Sequence, residues 1–251
     1  MYEIENEKVL ARIKVIHEES KQRYGAPKIH YLLTKEGFTV SLKRVQRIMR
    51  KANIRSITTK KYRPASPLEQ VKEQVNIIKQ DFRTTTINEK WVADITYIYT
   101  QKDNWCYLAS VLDLHTRKVV GYSFSTTMTT ELVIKALENA VEVQCPTEGL
   151  ILHTDLGSQY TSDVFQQVLE DKGIKQSFSR KGCPYDNACI ESFHSILKKE
   201  EVYTSTYSDF EEARIALFYY IESWYNRKRI HSSINYLTPQ QLEDIQRQKI
   251  S

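Results

Sequence analysis

From Trp91 onward the apolar residues of this chain stop recurring at helical spacing and begin to alternate, and that change restricts the available folds more than any other feature. "WVADITYIYT", "WCYLASVLDL" and "KVVGYSFSTT" are rich in aromatic and β-branched residues, which suit a half-buried pleated surface. The polar breaks "QKDN" and "HTR" join them as an antiparallel meander. Downstream, "TTELVIKALENAVEV" places Leu132, Ala136, Leu137, Ala140 and Val141 at helical spacing. "LILHTD" then reads as a fourth strand, "SDVFQQVLEDKG" as a helix ending at Gly173, and "IKQSFS" as a fifth strand. Strands in this order predict an α/β fold built on a five-stranded mixed sheet with helices. No Gly-rich phosphate loop follows any strand, which argues against nucleotide-dependent chemistry.

The charge is distributed unevenly. Residues 1 to 63 hold 16 Lys and Arg against 6 Asp and Glu, whereas the whole chain has a net charge of only +5. A small all-α domain fits this basic head. One helix over residues 7 to 24 carries Leu10, Ile13 and Ile16 and stops at Gly25. A second, "PKIHYLLTKE", starts near Pro27 and stops at Gly37, and Ser41 caps a third with Leu42, Val45, Met49 and Ala52 along one face. Helix, short turn, helix is the helix-turn-helix pattern. Lys43, Arg44, Arg47, Arg50 and Lys51 point away from the apolar face toward DNA phosphates, with Gln46 and Arg47 able to read base edges. The plainer reading is a solvated cationic helix. Residues 61–87, with Pro64, Pro67 and a short amphipathic helix, read as a linker.

Asp94 interrupts the first strand on the face it shares with Val92, Thr96 and Ile98. An ionised carboxylate among apolar neighbours needs a raised pKa, a basic partner or a cation. Asp155 closes the strand "LILHTD", where open α/β sheets place functional side chains. Glu191 lies on "NACIESFHSILKKE", a helix begun by Asn187 as cap. Three carboxylates on two strands and a helix make a hard oxygen site suited to Mg2+ or Mn2+. The plain alternative pairs Asp94 with a lysine, gives Asp155 to a turn and leaves Glu191 solvated.

"WVADITYI", "LHTDLGSQYTS" and "NACIESFHSILKKE" resemble the catalytic blocks of the DDE transposases of bacterial insertion sequences, in particular the second-reading-frame product of the IS-three family. The likeness extends over roughly residues 20 to 245, through "YGAPKIHYLLTKEGFTVSLKRVQRIMRKANI" and "YNRKRIHSSINYLTPQQLE". It departs at Pro27-Lys28, where relatives often carry two basic residues. The resemblance implies an RNase-H-like integrase core in which Asp94, Asp155 and Glu191 are the metal-binding triad, with thirty-five residues between the second and third. It also implies two metal ions, and makes Lys198, about two helical turns beyond Glu191, a DNA contact.

The implied division is a helix-turn-helix domain at 1–60, the linker at 61–87, the catalytic core at 88–200 and a helical extension at 201–251. The implied partners are double-stranded DNA, as terminal inverted repeats and target, further copies of the chain, and an upstream-frame product. The implied reaction is 3′-end nicking followed by strand transfer. Two other classes stay open: a DNA-binding regulator with an inactive core, and a nuclease without joining activity.

Several residues compete for roles. Asp113 reads as a structural residue shaping a hairpin. His153 and His194 are candidate accessories to the carboxylates, against the plainer reading of packed histidines. Arg180 and Lys181, in "SRKGCPYDNA", are candidate DNA contacts in a segment resembling the loop at integrase active sites. In the C-terminal signature, Phe218, Ile221 and Trp224 read as core, and Asn226, Arg227, Arg229 and His231 as a polar end near DNA. Four cysteines without zinc spacing read as reduced thiols. The absence of a signal-like or spanning apolar stretch predicts a cytoplasmic protein without membrane contact.

Overall fold

The computed structural model describes residues 2–57, 75–180 and 183–250. The chain forms two compact units, Met1–Arg63 and Pro64–Ser251.

In the first unit, helices α1 (Tyr2–Glu19), α2 (Ala26–Lys35) and α3 (Leu42–Lys51) enclose Ile13, Ile16, Ile29, Leu33 and Val45. Gly37, at φ 87°, ends α2, and Ser41 Oγ accepts the Arg44 backbone N–H at 3.3 Å to cap α3. The first helix stops earlier than its apolar spacing predicts. Lys21 and Gln22 turn left-handed, at φ 50° and 60°, and the buried Tyr24 continues the apolar pattern from the turn rather than from the helix.

The second unit is built on a five-stranded sheet in the order β3-β2-β1-β4-β5. Its strands are β1 (Lys90–Thr100), β2 (Asn104–Asp113), β3 (Val119–Ser125), β4 (Ile151–Thr154) and β5 (Lys175–Phe178). The first three pair antiparallel, while β4 runs parallel to both β1 and β5. Helices α4 (Thr130–Gln144) and α5 (Asp163–Asp171) bury one face against Trp91, Ala93, Ala109 and Val111. Across the other face runs α6 (Ala188–Glu200). The five strands and their helices are those the alternation predicts.

Gly121 is what lets α4 lie so close to β3. A Cβ there would collide with the Ala136 carbonyl oxygen and stand 2.6 Å from Ala140 Cβ. Overpacking of a filled core costs roughly 1–3 kcal/mol, and backbone is in the way here. Gly121→Ala is therefore expected to destabilise the second unit by at least that upper figure, read as a lower denaturation midpoint. A midpoint unchanged from wild type would show that the helix can retreat at little cost.

Three expectations need correction. Residues 75–87 contain no helix, and the rest of the predicted linker helix lies outside the described residues. The C-terminal polar end is interior. After α6 come α7 (Phe210–Phe218), a π-helical stretch Tyr219–Tyr225 and α8 (Pro239–Ile250). Asn226 is buried and clasps Val119, accepting from its N–H and donating to its C=O, both at 3.0 Å, as a strand would. Arg229 is buried against Glu200, and His231 lies beside Arg229. Of the residues predicted near DNA, Arg227 is exposed, and Phe218, predicted as core, is half-exposed. Among the described residues no helix is long and apolar enough to cross a membrane.

Candidate active site

Strand register brings two of the candidate carboxylates together. Val92 pairs with His153 across the parallel β1–β4 ladder, and Asp94 and Asp155 each follow two residues later, which returns both to one side of the sheet. Asp94 Oδ1 accepts the Ile95 N–H at 2.8 Å, and its Oδ2 lies 3.4 Å from His194 Nδ1 on α6. Asp155 Oδ1 accepts the Gly157 N–H at 3.0 Å. Burial, then the charge of Asp94, push the Asp155 carboxyl up to about 6. The Gly157 N–H acts in the opposite direction and is outweighed.

Tyr160 was not singled out from the sequence. Its hydroxyl is buried and has no hydrogen-bond partner among the described residues; burial, then the charges of Asp94 and Asp155, hold its pKa well above the usual phenol value. The only sequence signal was its place five residues after Asp155 in "DLGSQY".

Glu191 is half-buried on α6, one turn before His194. Among the described residues no three His, Cys, Asp or Glu side chains are gathered into a group that could hold a metal ion. The structure thus brings Asp94 and Asp155 within electrostatic reach of one another. The donors fit a hard divalent cation in kind. A cation between Asp94 and Asp155 would also remove the repulsion that raises Asp155.

The other candidates separate clearly. His194 is buried, with Nδ1 3.4 Å from Asp94 Oδ2 and Nε2 3.4 Å from Ser110 Oγ. His153 is held by Ser177 at 2.9 Å and Ser179 at 3.1 Å, which makes it a packed bridge between β4 and the segment around β5. Burial lowers its pKa. Asn187 stands at the N-cap position of α6 but makes no capping bond, and its buried Oδ1 has no partner among the described residues. The predicted cap is therefore absent, because a 3-10 turn, Pro184–Asn187, leads directly into the helix. Asp113 is a structural group: it accepts from Asn88 N–H at 2.9 Å and from the Thr116 N–H and hydroxyl at 2.7 and 2.8 Å.

Arg180 does not point freely outward. It forms a two-pronged pair with Asp186, both contacts at 3.1 Å, and Asp186 also accepts from Asn76 and Gln80. The Arg180 side chain is the main cause that holds the Asp186 carboxyl below the usual range. Sequence offered no sign that Asn76 and Gln80, more than a hundred residues earlier, would join this hub. Lys181 lies outside the described residues. Lys198 Nζ sits 4.2 Å above the ring of Tyr97. In the first unit Lys43, Gln46, Arg47, Arg50 and Lys51 are exposed on α3. Arg44 instead turns back to α1, donating to Asn6 at 2.9 Å and pairing with Glu5 at 3.1 Å, because its position borders the buried face.

Family profiles agree with this architecture. One described as integrase core domain matches residues 85–184, a second of the same description matches 172–239, and an HTH-like domain matches 3–62. A chain of the simian T-cell lymphotropic virus intasome, solved with the PP2A regulatory subunit B56 gamma, superposes with a TM-score of 0.54 at 17% identity, over 92% of this chain and 74% of that one. The HTLV-2 integrase catalytic core domain in complex with magnesium gives 0.50 at 20% identity, over 64% of this chain and 99% of that one. Both likenesses show an integrase-type, RNase-H-like fold. With the profiles, they define an enzyme of the transposase and integrase class.

Among curated proteins, the transposase for insertion sequence element IS904 of Lactococcus lactis is 38% identical over 242 residues, 96% of this chain and 95% of the relative. Transposase InsF for insertion sequence IS3A of Escherichia coli is 39% identical over 226 residues, covering 90% and 78%. The chain belongs to this family, the IS3-type transposases of bacterial insertion sequences.

Proposed function

We propose that the chain cuts and rejoins DNA at the terminal inverted repeats of an insertion sequence, with Asp94, Asp155 and Glu191 as ligands for two divalent cations, Mg2+ or Mn2+. The observation that carries this reading is the convergence of Asp94 and Asp155 on one side of the sheet, with the Asp155 carboxyl pushed up to about 6. Bound there, such ions lower the pKa of an attacking water and neutralise charge on the phosphodiester oxygens.

Within this scheme Asp94 is oriented by His194 and Asp155 by the Gly157 N–H, so both keep fixed directions before metal arrives. Glu191, on α6, would supply the third carboxylate. Water attacks phosphorus at the element end and the 3′-oxygen leaves with the bonding pair. The freed 3′-hydroxyl then attacks a target phosphodiester, and the target strand's 3′-oxygen leaves with the bonding pair. No covalent enzyme intermediate is required. Lys198, Arg180 and Lys181 contact DNA beside the site, the second after exchanging Asp186 for phosphate.

The first unit finds the ends. Lys43, Gln46, Arg47, Arg50 and Lys51 face a duplex, while Arg44 fixes α3 to α1. Arg47→Ala with Arg50→Ala is expected to lower the slope of log affinity against log salt by about two, since each neutralised phosphate contributes ~0.9. Titration of labelled repeat DNA at several salt concentrations checks this, and an unchanged slope would remove both residues from the interface. The functional division is the helix-turn-helix domain at 1–60, linker at 61–87, core at 88–200 and helical extension at 201–251. The chain works in the cytoplasm on the nucleoid, as a homo-oligomer on DNA, with the upstream-frame product as a further partner.

The test is strand transfer with labelled inverted-repeat ends and Mg2+ or Mn2+, comparing wild type with Glu191→Gln. Joined product from wild type alone supports the reading. Cleavage without joining would make the protein a nuclease, and binding without either reaction a regulator.

A further inference from the structure

At the far end of β1 the sheet face that α4 and α5 cover elsewhere becomes bare. Trp91 and Ala93 are buried on that face and Ile95 is partly covered, but Tyr97 and Tyr99 are 51% and 50% exposed. Trp105, opposite Tyr99 on β2, is 52% exposed. Its ring meets both tyrosines edge-on, with centroids 5.2 Å apart in each case. Large aromatic rings left half in water on three neighbouring positions are unusual for a surface with no partner. The patch is also joined to the catalytic helix, because Lys198 Nζ lies over Tyr97. Lys102, in the hairpin turn beside it, is exposed as well.

Aromatic rings with an adjoining cation form the chemistry that holds unpaired nucleotides: rings stack on base faces, and ammonium groups take the phosphates. We propose that Tyr97, Tyr99 and Trp105 form a platform for unpaired bases of the DNA strand next to the cleavage position, with Lys198 linking platform and catalytic helix. The inference rests on the DNA-end reading above and adds to it a site for melted, single-stranded DNA. A second role for the rings, cross-strand pairing that stabilises the hairpin, is compatible with this and is separated from it by the test.

The chain has three tryptophans, and of these Trp91 and Trp224 are buried, so quenchable emission comes from Trp105. The full-length protein is titrated with oligo(dT) and with an abasic strand of equal length, which has the same charge but no bases. The platform predicts strong quenching by oligo(dT) and little by the abasic strand. Tyr99→Leu, with its melting curve recorded alongside, should weaken oligo(dT) binding about tenfold. Cleavage by wild type of fully paired and of forked repeat ends is measured in parallel, and Trp105→Phe should preserve the preference for forked ends that Trp105→Ala loses.

Equal quenching by both strands would reduce the patch to a phosphate contact and overturn the platform. Emission already shielded from acrylamide in the free protein would show that a second copy covers the patch, and would overturn it too. Intact cleavage with no base-dependent quenching removes the platform and leaves the transposase reading standing. Failure of wild type to cleave any end removes both.

Discussion

Asp155→Asn is expected to abolish metal-dependent cleavage and, in the same protein, to stabilise the metal-free fold at neutral pH. The Asp155 carboxyl has a pKa of about 6 in the fold against 3.8 for the unperturbed group. Below the lower value both folded and unfolded chains hold the proton, and the residue contributes nothing to the pH dependence. Between the two, the unfolded chain releases a proton that the folded one keeps, so stability falls as pH rises. Above about 6 the folded chain carries the full penalty, up to about 3 kcal/mol at 1.36 kcal/mol per pKa unit and less with solvent screening. Asn cannot ionise and escapes the penalty. Melting curves from about pH 4 to 8 without metal should therefore diverge, with the variant the more stable at the upper end. Adding Mg2+ or Mn2+ should stabilise the wild type by about 2.7 kcal/mol at a hundred times Kd, raising its midpoint, and leave the variant nearly unmoved. A variant whose midpoint rises with metal as much as that of wild type would remove Asp155 from the ligand set.

The second large effect lies at the other end of α6. Glu200 and Arg229 form a buried pair at 3.0 Å, and Glu200 also accepts from the Tyr220 hydroxyl at 3.0 Å and the Trp224 indole at 3.2 Å. Breaking a buried pair by removing one partner costs about 3–5 kcal/mol, because an uncompensated charge stays inside. Arg229→Met should accordingly lower the melting temperature of the second unit by on the order of 10 °C. Glu200→Gln with Arg229→Met should recover much of the loss, since the remaining groups are neutral. Because Glu200 and Glu191 share one helix, the single variant should also lose cleavage more steeply on warming. A single variant that melts within a degree or two of wild type would show the pair to be dispensable.

These predictions draw on different layers of information. The strand face holding Val92, Asp94, Thr96 and Ile98 was legible because strand side chains alternate strictly, and the structure buries Val92, Thr96 and Ile98 on it. Ser41 as a cap and Gly37 as a stop were legible because each satisfies a local backbone requirement. The interior role of Arg229 was not. "NRKRIH" has the composition of a solvated basic turn, and only the position of Glu200, 29 residues earlier, brings its second half inside. Arg44 was misjudged in its orientation for the same reason: its partners Glu5 and Asn6 come from α1.

By itself the sequence determined the order and type of the elements, the basic helix-turn-helix head, and the identities of Asp94, Asp155 and Glu191 as candidates, since these follow from periodicity, local chemistry and motif spacing. The tertiary structure decided which of them meet. The β1–β4 register sets Asp94 beside Asp155, α6 supplies His194 to Asp94, and the end of helical cover leaves Tyr97, Tyr99 and Trp105 bare. Such contacts join residues remote along the chain, and their energies depend on burial and on neighbouring charge, neither of which exists until the sheet has formed.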